Sequence, residues 1–178
     1  VPNFDQSVSS ASYSPVRRSI ELPPGFYKIS ILCRDLESRV VRRVTKQLTV
    51  SDYSKPGLQL SDIMIISKFA VKGDKKNITP SISSNVGAIS GPMHIFFEAY
   101  NDAKLDSVKF VTTVFTEKND EAFKVDTTVA LTPGKNQVFL QIDQSPLPLG
   151  DYKMYVQAHP AGRSGQSLAT TSRSFVVR

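Results

Sequence analysis

Tryptophan is missing from these 178 residues, cysteine occurs once and histidine only twice. A single cysteine, Cys33, excludes an internal disulfide and a cysteine-based zinc site. Two isolated histidines, His94 and His159, leave little for metal ligation or for acid–base chemistry near neutral pH. No apolar run approaches the ~18 residues of a membrane-spanning helix, and none follows a basic front end as a signal peptide would. The chain begins with Val1, so a missing leader says nothing about compartment. Also absent are a Gly-x-Ser-x-Gly elbow, a phosphate loop and a His-Glu-x-x-His pair, each of which places a nucleophile, anion or metal by fixed spacing.

Acidic residues are scarce at one end. Eight basic against four acidic side chains give +4 over residues 1–50, and fourteen against twelve give +2 over 51–178. The basic stretch holds Arg34, Arg39, Arg42, Arg43 and Lys46. Single-stranded nucleic acid is bound by cations interleaved with stacking aromatics, and residues 39–50 contain no aromatic, so nucleic acid is not an expected partner. A solvated basic strand face is the plainer reading.

What is present is strand signal. Apolar and polar residues alternate in runs of five to ten, separated by Pro, Gly, Asn and Asp, with no sustained helical period. The alternation predicts strands at 16–22, 26–34, 39–50, 59–67, 78–84, 92–101, 107–117, 122–131, 136–143, 151–159 and 167–177. Lys118–Glu121 reads as a hairpin loop. Thr132-Pro133-Gly134-Lys135 has Pro and Gly in the order of a type II turn, in which Pro presets φ and Gly accepts φ > 0.

An internal repeat organises these strands. Residues 22–28 read Leu-Pro-Pro-Gly-Phe-Tyr-Lys, and residues 147–153 read Leu-Pro-Leu-Gly-Asp-Tyr-Lys. Tyr27, Ile29, Ile31 and Cys33 match Tyr152, Met154, Val156 and Ala158 as one strand face. Val16–Leu22 matches Val138–Ile142 before the motif. After it, Val44, Lys46, Leu48 and Val50 match Thr171, Arg173, Phe175 and Val177. In immunoglobulin-like sandwiches a Tyr near the start of the penultimate strand bonds back to upstream backbone, and Gly25-Phe26-Tyr27 and Gly150-Asp151-Tyr152 resemble that corner. The expected fold class is therefore all-β: tandem immunoglobulin-like or fibronectin-like β-sandwiches, the N-terminal one incomplete. Residues 1–50 form a partial sandwich with its C-terminal strands only, 51–57 a linker and 58–178 a complete sandwich. By alignment with Ala158, Cys33 is expected to be buried and inert.

Leu22–Lys28 with Asp35, Ser51-Asp52-Tyr53, Leu60-Ser61-Asp62-Ile63 and Phe96-Phe97-Glu98-Ala99-Tyr100-Asn101 together resemble the β-sandwich region of GWxTD-domain proteins of Bacteroidota and related bacteria. The resemblance spans residues 20–178, while the Gly-Trp-x-Thr-Asp signature itself is absent. It implies an exported or envelope-associated bacterial protein (periplasmic, outer-membrane-associated or secreted), and no catalytic residues.

His94 and Glu98 share a strand face but lie ~13 Å apart on an extended chain, so they do not close a site. No catalytic, cofactor-binding or metal-binding residue is assigned, and no small-molecule ligand is expected. Phe96, Tyr100 and Tyr155, on outward strand faces, are the candidate binding residues. Their expected partner is another protein or other segments of the same chain. The reading is thus a non-enzymatic structural or protein-interaction module, with a carbohydrate-binding sandwich as the alternative, since such sandwiches also use exposed aromatic platforms.

Overall fold

Alternating β-branched and aromatic residues leave two sheet faces of different polarity, and burial of the apolar one drives two sheets together. A computed structural model of the chain describes residues 18–72, 75–81, 83–87, 89, 91–143, 147–162 and 165–178. The chain is all-β, with antiparallel sheets and no helix among the described residues. It divides into two compact units, Val1–Asp52 and Tyr53–Arg178.

The first unit contains β1 (Gly25–Arg34) and β2 (Val41–Val50), an antiparallel ribbon in which Tyr27 faces Leu48 and Ile31 faces Val44. Asp35 shapes its turn: its carboxylate accepts the amides of Glu37 and Ser38 at 2.9 and 3.1 Å. Of the expected 16–22 strand, residues 18–22 run without strand pairing, and 16–17 lie outside the described residues. Pro23 and Pro24, one after the other, donate no amide to a ladder.

The second unit is a β-sandwich. One sheet contains β3 (Leu58–Leu60), β4 (Met64–Lys72), β5 (Lys75–Pro80), β6 (Met93–Asn101) and β9 (Gly134–Ile142). The other runs β11 (Ala169–Val177), β10 (Gly150–Pro160), β7 (Ser107–Thr116) and β8 (Glu121–Ala130). β6 pairs along its whole length with β9, while β3 and β4 share its other edge. The single strand expected at 59–67 is therefore broken in two. Ser61 causes the break: its amide donates to the Glu98 carbonyl and its Oγ accepts the Glu98 amide, both at 2.8 Å. A side chain takes the place of backbone there, and the register slips by one residue.

The strand expected at 78–84 ends at Pro80 because the following residues pair elsewhere. The Val86 amide donates to the Val176 carbonyl at 2.8 Å, and the Val176 amide to the Ser84 carbonyl at 2.9 Å. These bonds form a parallel bridge on the edge of β11. Gly87 is required at this closure, because a Cβ there would stand 2.4 Å from the Arg178 carbonyl oxygen.

The core lies between the sheets. Met93, Ile95, Phe97 and Ala99 of β6 are fully buried against Val108, Phe110 and Val114 of β7 and Met154, Val156 and Ala158 of β10. Phe97 and Phe110 meet edge to face across the sandwich at 5.2 Å. Two turns close the layers. Gly134, at φ +87°, is the third residue of the Pro-Gly turn that carries the chain from β8 to β9, and Asn136 accepts the Thr132 amide and donates to the Thr132 carbonyl. Fully buried Asn101 spends both ends of its amide on the Leu105 amide and the Leu105 and Thr132 carbonyls.

The repeated corner is present twice. The Tyr152 hydroxyl donates to the Pro148 carbonyl at 2.8 Å, and the Tyr27 hydroxyl to the Pro23 carbonyl at 2.7 Å. Each tyrosine ring lies against the glycine two residues earlier, where a Cβ would stand at ordinary contact distance, 3.5 Å at Gly25 and 3.6 Å at Gly150. The surroundings of the two corners differ. Met154, Val156 and Ala158 are fully buried, whereas Ile31 is 59% exposed and Cys33 is an exposed free thiol. The expectation of a buried Cys33 is thus corrected, for no sheet covers the β1–β2 face among the described residues. Tyr152→Phe is expected to lower the stability of the second unit by about 1 kcal/mol in urea denaturation, leaving the Pro148 carbonyl short of a donor. Tyr27→Phe should leave that unit's urea midpoint unchanged.

Candidate functional site

The outer faces of the sandwich carry the polar and aromatic chemistry, because alternation on β6, β7 and β10 sends every second side chain outward. His94, Phe96, Glu98 and Tyr100 project from the outer face of β6, half-buried. Phe96 packs at 5.0 Å on Phe139, its cross-strand partner on β9. Tyr100 is stacked on Tyr53, with ring centroids 4.3 Å apart and planes within 3°. The segment expected as a linker therefore reaches the second unit at Tyr53.

Glu98 ties this cluster together. Its Oε2 accepts the Tyr100 hydroxyl at 2.6 Å and its Oε1 pairs with Lys135 Nζ at 2.8 Å. Burial works against the Glu98 charge, but the bonds from Lys135 and Tyr100 outweigh it and hold the carboxyl below its ordinary value. Burial together with the adjacent Glu98 carboxylate raises the Tyr100 phenol well above its ordinary value. This network pins Tyr53 and Lys135 to β6, engaging one face of each stacked ring and both oxygens of the Glu98 carboxylate.

Tyr155 lies elsewhere, on the outer face of β10 in the four-stranded sheet. Phe115 meets its ring at 5.8 Å in edge contact, and Lys153 Nζ stands 4.9 Å from its centroid. The three aromatic residues picked from the sequence thus occupy two opposite faces and form no common platform. His94 and Glu98 share a face, and Glu98 is engaged by Lys135 and Tyr100. His159 Nδ1 lies 3.2 Å from the Gly165 carbonyl. Among the described residues no group of three or more His, Cys, Asp or Glu side chains is placed to hold a metal ion, and no helix is long and apolar enough to cross a membrane.

Two features were not singled out by sequence. A groove of about 700 Å³ crosses the outer face of β7, β8 and β10, lined by Lys109, Val111, Lys124, Asp126, Gln157 and His159. It adjoins a second hollow that includes Phe115 and Tyr155 and shares Lys124 and Gln157 with the first. Lys109 is paired with Asp126, whose carboxyl it holds below its ordinary value. The second feature is the β1–β2 ribbon, where Tyr27, Ile29, Ile31, Val44 and Leu48 fall on one face by register, with Lys46 and Arg42 among them. Ile31, Val44 and Leu48 are 59%, 56% and 40% exposed. Its other face carries Lys28, Arg34 and Arg43 beside Phe26, Leu32 and Val41, all exposed. Strand alternation gave the signal for both; which faces stay open was set by the strand pairing.

No protein-family model matches the chain, and no curated protein matches it. Among solved structures it is similar to a Bifidobacterium dentium β-glucuronidase complexed with coumarin-3-O-glucuronide, at 13% identity and a TM-score of 0.39. That match covers 69% of this chain and 18% of the glucuronidase.

The Glu98 network makes a pH-dependent contribution. A carboxyl held below its unfolded value stabilises the fold above that value, 4.5, and the contribution fades as pH falls through the lower folded value. Because Lys135 is more than half exposed, solvent screens the pair and the expected effect is at most about 1 kcal/mol. Glu98→Gln should therefore lower the urea midpoint at pH 7, with a smaller deficit at pH 3. An equal deficit at both pH values would show that the carboxylate charge contributes nothing.

Proposed function

We propose that this chain is a non-enzymatic structural or protein-interaction module of an exported or envelope-associated bacterial protein, built from tandem immunoglobulin-like sandwiches. Residues 53–178 are the complete sandwich, and the β1–β2 ribbon is the C-terminal ribbon of a second. One observation carries this reading: the ribbon repeats the corner and register of β10–β11, yet leaves open the face that β10 buries. An apolar face of this kind on a stable ribbon marks an interaction surface. The bacterial, extracytoplasmic setting rests on the sequence resemblance to GWxTD-domain proteins and belongs to the same proposal.

The test uses the environment-sensitive dye ANS, which fluoresces on exposed apolar surface. Fragment 53–178 is expected to unfold in one cooperative urea transition and to bind little dye, while the whole chain binds it several-fold more. Ile31→Asp with Val44→Asp, opposed across the ribbon, should remove the difference. Equal dye binding by the fragment and the whole chain would overturn the proposal.

A second reading is favoured by the groove on the four-stranded sheet, where Tyr155, Gln157 and Lys124 offer a ring and hydrogen-bonding groups to a neutral or acidic glycan. On a glycan array this reading expects discrete binding that Tyr155→Ala reduces at least ten-fold. An array with no signal above background would remove it.

A further inference from the structure

We propose that the edge of β1 left unpaired among the described residues is a strand-docking site for a strand of another protein. The strand would be antiparallel to β1, apolar at alternate positions and acidic on its outer face, in the register that β7 takes on β10. This deepens the interaction-module reading and rests on it.

The internal repeat defines the missing neighbour. Tyr27 pairs with Leu48 as Tyr152 pairs with Phe175, and Ile29 pairs with Lys46 as Met154 pairs with Arg173. The two ribbons are therefore in identical register from the same corner bond. β10, however, has a partner on each edge, β11 and β7, whereas β1 pairs only with β2 among the described residues. In the complete sandwich β7 sets Val114, Thr112 and Phe110 opposite Met154, Val156 and Ala158, and all six are buried. The same register on β1 places three inward side chains opposite Ile29, Ile31 and Cys33. An unpaired edge beside an open apolar face is the geometry that strand addition satisfies, with backbone bonds supplying affinity and alternate side chains specificity.

Charge defines the strand's outer face. Lys28, Arg34 and Arg43 stand on the outer face of β1 and β2, Arg42 and Lys46 on the inner face opposite Cys33 and Ile29, and neither strand has an acidic residue. Acidic side chains opposite Lys28 and Arg34 make favourable cross-strand pairs, and like charges there are destabilising. A second copy of β1 is disfavoured for the same reason.

The experiment uses the whole chain and a synthetic peptide of residues 107–116 with K109E and F115E, which puts acids opposite Arg34 and Lys28. Saturable binding is expected, with hydrogen-exchange protection of the Gly25–Arg34 amides and none added on β10. The peptide with lysine at both positions should bind at least ten-fold more weakly. Cys33 reports the register. A peptide with a 2-thiopyridyl-activated cysteine at position 110 should form a disulfide with Cys33, the thiolate displacing 2-thiopyridone, at least ten-fold faster than one with the cysteine at 113. Cys33→Ser should abolish the crosslink and keep the binding. Absence of β1 protection, equal crosslinking at the two positions, or β1 protected in a peptide-free dimer would each overturn the proposal. Failure here with strong dye binding by the ribbon leaves the interaction module standing; loss of the dye signal removes the module itself.

Discussion

The hydrogen bond from Tyr152 to the Pro148 carbonyl fixes how the chain enters β10, and β10 holds together the sheet that most of the core leans on. The bond spans only four residues, so it forms wherever Pro, Gly and Tyr keep that spacing. Once made, it commits Tyr152 inward, and strand alternation then sends Met154, Val156 and Ala158 after it into the sandwich. Phe175 follows across the ladder and stacks on the Tyr152 ring at 5.5 Å. A local bond thereby sets the phase of a long-range surface. The same bond at Tyr27 sets the same phase on β1, and that is why the ribbon of the first unit has an apolar face at all.

The outer faces obey a different constraint. Their side chains face water, so their geometry comes from pairing with one another rather than from exclusion. On β6 the Glu98 carboxylate gathers Tyr100 and Lys135 and thereby settles Tyr53 onto the sheet. On β10 Tyr155 is bracketed by Lys153 and Phe115, beside a groove where Lys109 and Asp126 neutralise each other. The first arrangement engages the Glu98 carboxylate and the Tyr100 hydroxyl, and in the second Gln157 and Lys124 line the hollow beside Tyr155.

The all-β class, nearly all the strands and the Pro133-Gly134 turn were legible in the sequence because period-two alternation and turn chemistry are local properties. The errors fall where a local pattern was answered by a distant partner. Leu60 and Met64 lie in one expected strand, but Ser61 lends its hydroxyl to the Glu98 amide and divides it. Ser84 continues the alternation of its neighbours, but its carbonyl receives the Val176 amide on β11. Phe96, Tyr100 and Tyr155 look alike as outward aromatics, and nothing local assigns them to opposite sheets.

By itself, the sequence determined the repeat, the two corners and which residues of each ribbon share a face, because these follow from the order of Pro, Gly and Tyr and from strand alternation. Burial was decided only by the tertiary structure. Ala158 and Cys33 hold equivalent positions on equivalent strands, yet one is sealed and the other is an exposed thiol. The difference is the opposing sheet, and a strand's own residues specify the face that wants covering without specifying what covers it.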